Sequence, residues 1–256
     1  MTKKAIGIDI GGTGIKGALV DVQKGVLIGD RVRYETPEGG EPDAIAAVVR
    51  KIVTELDGKT GKNPVGICFP AVVIKGHTMS AANVSKAWIG LDADALFEKS
   101  LSRKVSVLND ADAAGQAEVK YGAGRGRRGL VIMTTLGTGI GTALFINGQL
   151  VPNAELGHLE IDGVDYETMA SFAAKEREDL SFVDWSKRLQ KYYSTLERLF
   201  SPDLVIVGGG VSKQHEQFLP LLHTRAELLP ALKRNNAGIL GAANLARERA
   251  DKHEKN

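Results

Sequence analysis

The sequence predicts an α/β protein of two related lobes, each a mixed β-sheet with helical cover, enclosing a cleft. Three observations carry this. Apolar runs of strand length alternate with amphipathic runs of helix length along the whole chain. The segment Gly12-Thr13-Gly14-Ile15-Lys16-Gly17-Ala18-Leu19-Val20 returns as Gly137-Thr138-Gly139-Ile140-Gly141-Thr142-Ala143-Leu144-Phe145, each copy behind a β-branched apolar run. At about 150 residues per domain, 256 residues make between one and two domains.

The elements follow in chain order. AIGIDI (5–10) is a strand that runs through the first Gly/Thr turn straight into ALVDV (18–22). The local unit is therefore a β-hairpin opening a sheet, and not a strand followed by a helix. Over 43–57, Ile45, Val48, Val49, Ile52 and Leu56 share one helical face behind Asp43 as cap. PVGICFPAVV (64–73) reads as a buried strand, ADALFEKSL (93–101) as a helix and VSVLN (105–109) as a strand. ADAAGQAEVKYG (111–122) is helix-like, and LVIMTTL (130–136) leads into the second hairpin. DWSKRLQKYYSTLERLF (184–200) is a helix and LVIVGGG (204–210) a strand, followed by helix-like VSKQHEQFLPLL (211–222) and GILGAANLARERA (238–250). The lobe boundary is placed near Asn109–Asp112, giving lobes 1–110 and 111–256, with the C-terminal helix packing back on the first.

Composition narrows the function. With 43% hydrophobic and 25% charged residues the chain can bury a core. Lys+Arg 33 against Asp+Glu 31 leaves a net charge of +2, too little for general attachment to nucleic acid or an anionic membrane, so any anion chemistry must be local. The single cysteine, Cys68, rules out a disulfide framework and any multi-cysteine metal site. No apolar run approaches the ~20 residues of a membrane span, and Asp9 interrupts the N-terminal apolar stretch, so no signal peptide and a cytoplasmic location are expected. Asn83-Val84-Ser85 fits a glycosylation sequon and is read as chance in that context.

The 30 glycines cluster where chemistry is expected. Gly12-x-Gly14-x-x-Gly17 and Gly124-x-Gly126-x-x-Gly129 satisfy the dinucleotide pattern, but strands follow both, where that fingerprint needs a helix. No P-loop pattern occurs. In the turns Gly11-Gly12-Thr13-Gly14 and Gly137-Thr138-Gly139, backbone N–H groups can converge on an anion because no Cβ blocks it, and Lys16 adds a charge. The competing reading is a pair of structural hairpins with glycine at positive φ. Asp9, just before the first turn, can face phosphates and hold their magnesium through water. Gly208-Gly209-Gly210 can let a nucleotide or second anion approach the backbone and a helix N-terminus. Asp110, behind Asn109 at a strand's C-terminal edge, is either a general base or a helix N-cap. Glu155-x-x-His158, with Glu167 further on, forms a polar cluster with too few ligands for zinc. Lys120, Arg125, Arg127 and Arg128 are the one dense basic cluster, either a polyanion groove or a solvated loop.

DIGGTGIKG (9–17), LND-AD (108–112), LGTGIG (136–141), ELGH (155–158) and VGGG (207–210) together resemble the ROK sugar kinases, within the actin/hexokinase/Hsp70-like (ribonuclease H-like) fold superfamily. The resemblance covers nearly the whole chain, with the blocks in family order. The family's C-x-C-G-x-x-G-C zinc motif is absent, LEIDGVDY (159–166) standing in its place, so no zinc is expected. This zinc-less form resembles the actinobacterial polyphosphate glucokinases and polyphosphate/ATP glucomannokinases.

The resemblance implies that Asp110 is the base for the sugar's primary hydroxyl. It implies that Asn83, Asn109, Glu155, His158 and Glu167 hold the other hydroxyls, Glu167 being preferred to Glu160 because Glu167-x-x-x-Ser171 matches the family glutamate. It further implies transfer of the terminal phosphoryl group of polyphosphate, with ATP as a second donor, to the 6-hydroxyl of glucose, with magnesium, in a homodimer whose lobes close to exclude water. Mannose acceptance stays open. The rivals are a strictly ATP-dependent glucokinase or mannokinase and a sugar-sensing protein without catalysis. Family repressors carry a helix-turn-helix domain ahead of DIGGT, whereas this chain enters that strand by residue 5, so a repressor is not expected.

Overall fold

The protein is described from a computed structural model covering residues 3–81 and 84–253. The chain divides into two compact units, Met1–Ala117 together with Asn235–Asn256, and Glu118–Arg234. The sequence placed the division at residue 110, but the helix that begins there carries it on to Ala117, and the chain returns to the first unit from Asn235.

In the first unit the order is β1 (Lys4–Ile10), β2 (Ile15–Asp21), β3 (Val26–Tyr34), α1 (Pro42–Asp57), β4 (Val65–Phe69), a small hairpin of β5 (Val73–Ile74) and β6 (His77–Thr78), α2 (Ala93–Leu101), β7 (Val105–Asn109) and α3 (Asp110–Tyr121). The sheet runs β3-β2-β1-β4-β7; β1, β2 and β3 are antiparallel neighbours, and β4 and β7 run parallel to β1.

The second unit holds β8 (Leu130–Leu136), β9 (Ile140–Ile146), β10 (Gln149–Val151), a small hairpin of β11 (Glu160–Ile161) and β12 (Val164–Asp165), α4 (Glu167–Ala170), α5 (Phe172–Arg177), α6 (Phe182–Phe200), β13 (Leu204–Gly208) and β14 (Glu227–Pro230). Its sheet runs β10-β9-β8-β13-β14 with the same pattern of directions. The repeated Gly/Thr segments are thus the turns of two equivalent hairpins, β1–β2 and β8–β9. The last helix, α7 (Ala237–His253), belongs to the first unit.

Alternation along β1 sends Ile6, Ile8 and Ile10 to one face of the sheet, where Ile45, Val49 and Ile52 of α1 bury against them. Pro42 occupies the first helical position of α1 and Glu41 the cap, so Asp43 lies inside the first turn and is not the cap. The other face takes α7 at backbone distance: a Cβ on Gly7 would lie 1.9 Å from the Ile239 carbonyl oxygen, and one on Gly66 1.9 Å from that of Ala242. In the second unit Trp185, Leu189, Tyr192, Tyr193 and Leu196 of α6 form the core with β8, β9 and β13.

The stretch after β13 corrects the expectation of a helix over 211–222. Gly210–Gln217 and Leu219–Leu221 are 3₁₀ turns, with a kink at Gln214. The backbone leaves the helical region at Gln214 (φ −108°, ψ 21°) and Phe218 (φ −135°, ψ −36°), and Pro220 supplies no N–H, so no continuous α-helix forms. No helix among the described residues is long and apolar enough to cross a membrane.

Candidate functional site

In the first unit, the parallel strands β1, β4 and β7 bring their C-terminal ends to one edge. Asp9 pairs in register with Cys68, and Phe69 with Asn109. Asp9 is therefore level with Leu108 about two strand spacings, ~10 Å, away, and Asp110 follows two residues beyond Leu108. The turn after β1 is closed by a hydrogen bond from the Gly11 N–H to the Gly14 carbonyl at 3.1 Å and pinned by the Thr36 hydroxyl on the Gly11 carbonyl at 2.5 Å. Gly12 and Thr13 are exposed at its tip.

Asp9 is held on two sides. The Lys16 ammonium lies 3.7 Å from one carboxylate oxygen, and the Cys68 thiol donates to the other at 3.4 Å. Burial and the charges of Asp9 and Asp110 push the Cys68 thiol well above its ordinary range, so it stays protonated as a donor and has no nucleophilic character.

The capping half of the choice left open for Asp110 falls to its neighbour. Asn109 is buried, and its Oδ1 accepts the N–H groups of Ala111 at 2.8 Å and Asp112 at 3.1 Å while its amide donates to the Ala71 carbonyl. Asn109 thus performs the capping of α3. Asp110 accepts the Ala111 N–H at 2.8 Å and is exposed at the head of the helix. A carboxylate in that position can accept a proton from a bound hydroxyl. Asn83 lies outside the described residues; Trp88 is fully buried, tilted against Phe69 and stacked on Phe97, with its indole N–H on the Gly40 carbonyl.

The second unit gathers the other polar residues around its own turn. The Gly137 N–H donates to the Gly139 carbonyl at 3.0 Å, and Gly137 opens on empty space, with nothing within 4 Å of a Cβ placed on it. None of Gly11, Gly14, Gly137 and Gly139 has positive φ, so conformational need does not explain them: Gly137 leaves its backbone open, while Gly14 and Gly139 make room for the Arg33 and Glu167 side chains. Glu167 accepts the Ile140 N–H at 2.7 Å, while a Cβ on Gly157 would lie 2.0 Å from the Ile140 carbonyl. One residue, Ile140, thereby ties the turn both to Glu167 and to the Glu155–His158 loop.

Glu155, His158 and Glu167 interact electrostatically. Burial raises the Glu155 carboxyl and Glu167 adds to this, with His158 opposing. His158 is raised chiefly by its Nδ1 hydrogen bond to Asp165 at 2.8 Å, and also by the charges of Glu167, Asp165 and Glu155. Asp165 was missed in the sequence, yet it orients His158 and also accepts the Glu167 N–H at 3.2 Å. Its signal is the Asx-type start of α4, Asp165-Tyr166-Glu167. Glu160 is exposed on β11 and does not act on this cluster.

Gly209 abuts the backbone of Leu136, with a Cβ there 2.1 Å from the Leu136 carbonyl oxygen, while Gly210 is open. Gly208 faces the Met133 methyl, and the turns that follow offer no α-helix N-terminus. The basic cluster precedes β8, whereas the turn follows it, so the seven-residue strand separates them by about 20 Å. Lys120, Arg125 and Arg128 are exposed, but Arg127 is ion-paired to Glu227 of β14 at 2.7 Å. The cluster therefore does not adjoin the turn. A second cation missed in the sequence does adjoin a turn: Arg33 of β3 lies directly opposite Lys16, with its Nε 3.0 Å from where a Cβ on Gly14 would stand.

Paired sheets of this connectivity, with glycine turns at the head of each, have the actin/hexokinase-like fold of sugar kinases. The chain belongs to the ROK family, whose sequence profile matches residues 5–178. It is 43% identical over 242 residues to the polyphosphate glucokinase of Mycobacterium tuberculosis H37Rv, covering 94% of this chain and 90% of that one. The Mycobacterium leprae polyphosphate glucokinase is also 43% identical, over 94% of this chain and 74% of its own. Among solved structures, the inorganic polyphosphate/ATP-glucomannokinase of Arthrobacter sp. strain KM superposes with a TM-score of 0.89 at 51% identity, covering 96% of this chain and 99% of that one. The ROK glucokinase of Streptomyces griseus in complex with glucose and AMPPNP superposes at 0.75 with 27% identity, covering 96% and 99%.

Proposed function

We infer that this chain is a polyphosphate glucokinase, moving the terminal phosphoryl group of inorganic polyphosphate, and also that of ATP, to the 6-hydroxyl of glucose. The structural observation that carries the reading is Asn109 taking over the cap of α3. It leaves Asp110 exposed at the edge where the Asp9 turn also ends. Relatives named for this activity, at 43% and 51% identity over more than nine-tenths of the chain, support the donor and the acceptor.

In the step proposed, Asp110 takes the proton of the sugar 6-hydroxyl as its oxygen bonds to the terminal phosphorus. The bridging P–O bond breaks, leaving a shortened polyphosphate or ADP. The family resemblance assigns Asn83, Asn109, Glu155, His158 and Glu167 to the sugar. Protonated His158, oriented by Asp165, presents its Nε2–H as a donor. The turns at Gly11–Gly14 and Gly137–Gly139 offer N–H groups to the donor phosphates, Lys16 offers charge, and Gly208–Gly210 takes the nucleotide of ATP. Phosphoryl transfer asks a protein mainly for positioning and charge neutralisation, and these groups supply both.

The residues fit magnesium. Asp9 offers hard carboxylate oxygens beside a phosphate turn, and no group of three or more metal-ligating side chains stands together among the described residues. That suits an ion held by one carboxylate, directly or through water, and by the substrate's own phosphates. When bound it neutralises phosphate charge. The reading extends to a cytoplasmic homodimer with mannose as a second acceptor and no nucleic-acid or membrane partner, supported by the family resemblance and the net charge of +2.

The test is a coupled assay for glucose 6-phosphate with long-chain polyphosphate, with ATP, and with no donor. Product with polyphosphate supports the reading; product with ATP alone assigns a strictly ATP-dependent kinase; product with neither assigns a sugar-binding protein, against which the exposed Asp110 argues.

A further inference from the structure

The face of the first sheet that carries α7 also carries a line of cations leading away from the first glycine turn. Lys16 of β2 and Arg33 of β3 are direct cross-strand partners and so share a face; Arg31 follows in the irregular stretch of β3, where the register to β2 shifts, and its contact with the start of α7 puts it on that face too. Asp9 and Lys16 are likewise partners in the β1–β2 register. The line starts at Asp9 and Lys16, passes Arg33 beside Gly14, and reaches Arg31. There the guanidinium meets only neutral acceptors, the Asn235 carbonyl at 3.4 Å and the Asn236 Oδ1 at 3.3 Å, at the start of α7.

Among the described residues no carboxylate lies within 4 Å of the Arg33 or Arg31 guanidinium. Two other exposed cations of the unit do have carboxylate partners. Lys3 pairs with Asp251 and Lys104 with Glu98. The absence of a Cβ at Gly14 is what lets the Arg33 head group lie against the turn.

We propose that Arg33 and Arg31 form a track for the polyphosphate chain behind the phosphoryl group being transferred. The proposal rests on the kinase reading above. A flexible anion with charge on every unit matches successive cations that have no carboxylate beside them. A nucleoside triphosphate ends its charge within the cradle at the turn, so Arg31 touches only the longer donor. This divides the labour in the first unit: Lys16 and the turn N–H groups serve either donor, Arg33 borders both, and Arg31 serves polyphosphate.

The test measures equilibrium binding of long-chain inorganic polyphosphate by calorimetry across a salt series, beside steady-state kinetics with polyphosphate and with ATP. Arg31→Gln and Arg33→Gln are each expected to weaken polyphosphate binding about tenfold. Each should lower the slope of log affinity against log salt by about 0.7, the value per neutralised charge of a single-stranded polyanion. Arg31→Gln should shift the KM for polyphosphate far more than that for ATP. Arg33→Lys and Arg31→Lys, which keep the charge, should keep the wild-type salt slope, separating charge from folding. Wild-type affinity and slope in both Gln variants would overturn the track, as would equal losses with both donors in Arg31→Gln. Failure of the wild-type enzyme to use polyphosphate at all would overturn the kinase reading instead.

Discussion

Replacing Asp110 by Asn separates the base from the cap, because the two roles fall on adjacent residues. The amide preserves the shape of the side chain and a hydrogen bond to the sugar hydroxyl but cannot take its proton. Loss of a general base costs about 10²–10⁴ in turnover, or about 2.7–5.5 kcal/mol on the barrier. The cap survives, since Asn109 retains its bonds to the Ala111 and Asp112 N–H groups while a negative charge leaves the first turn of α3. That charge is worth about 0.3–1 kcal/mol, or a fall of roughly 1–4 °C in melting temperature for a protein of this size. Asn109→Ala is the mirror experiment. It removes both capping acceptors and the donor to the Ala71 carbonyl, so it should cost at least the ~0.5–2 kcal/mol of a lost cap. Turnover is read from glucose 6-phosphate formation, glucose binding from calorimetry and stability from thermal melting. Turnover within a few-fold of wild type in Asp110→Asn, with glucose binding intact, would refute the assignment.

Three further outcomes follow from the geometry. Asp165→Asn removes the largest cause of the raised His158 pKa, so the imidazole titration followed by NMR should move down toward the ordinary value of ~6.5. Because the folded value is raised, what the charged ring contributes is complete below ~6.5 and lost as pH rises through the folded value. Glucose binding in Asp165→Asn should therefore fall away at lower pH than in wild type, and an unmoved titration would remove Asp165 from the site. Gly66→Ala places a Cβ 1.9 Å from the Ala242 carbonyl oxygen, which must push α7 off the sheet at a cost of about 1–3 kcal/mol or more; an unchanged melting temperature would contradict the contact. Excess chelator should abolish turnover with either donor, and magnesium, not zinc, should restore it; full activity in chelator would remove the metal from the account.

What the sequence disclosed and what it hid have physical causes. The paired hairpins were legible because a strand, a Gly/Thr turn and a second apolar run leave little room for a helix, and VSVLN and LVIMTTL coincide with β7 and β8. β3 was hidden because it is an edge strand, exposed over much of its length and interrupted by Gly29 at φ 76°, so it lacks an apolar period. β14 is four residues ending in Pro230, too short to carry a pattern. The stretch after Gly210 has helix-like spacing, but the backbone at Gln214, Phe218 and Pro220 overrides it. The motif residues were found one at a time as residue types at strand ends. Their partners were not, since Asp165 beneath His158, Cys68 beside Asp9 and Arg33 over Gly14 each depend on a strand or hairpin register that periodicity does not encode.

The central claim is that one phosphate cradle serves both donors in transfer to glucose, and donor competition tests it most directly. With glucose saturating and ATP varied, ADP formation is measured at increasing concentrations of long-chain polyphosphate. A shared cradle predicts strictly competitive inhibition, with an inhibition constant equal to the KM of polyphosphate as donor. Simultaneous use of both donors, with rates that add, or inhibition that leaves the KM for ATP unchanged, would contradict it.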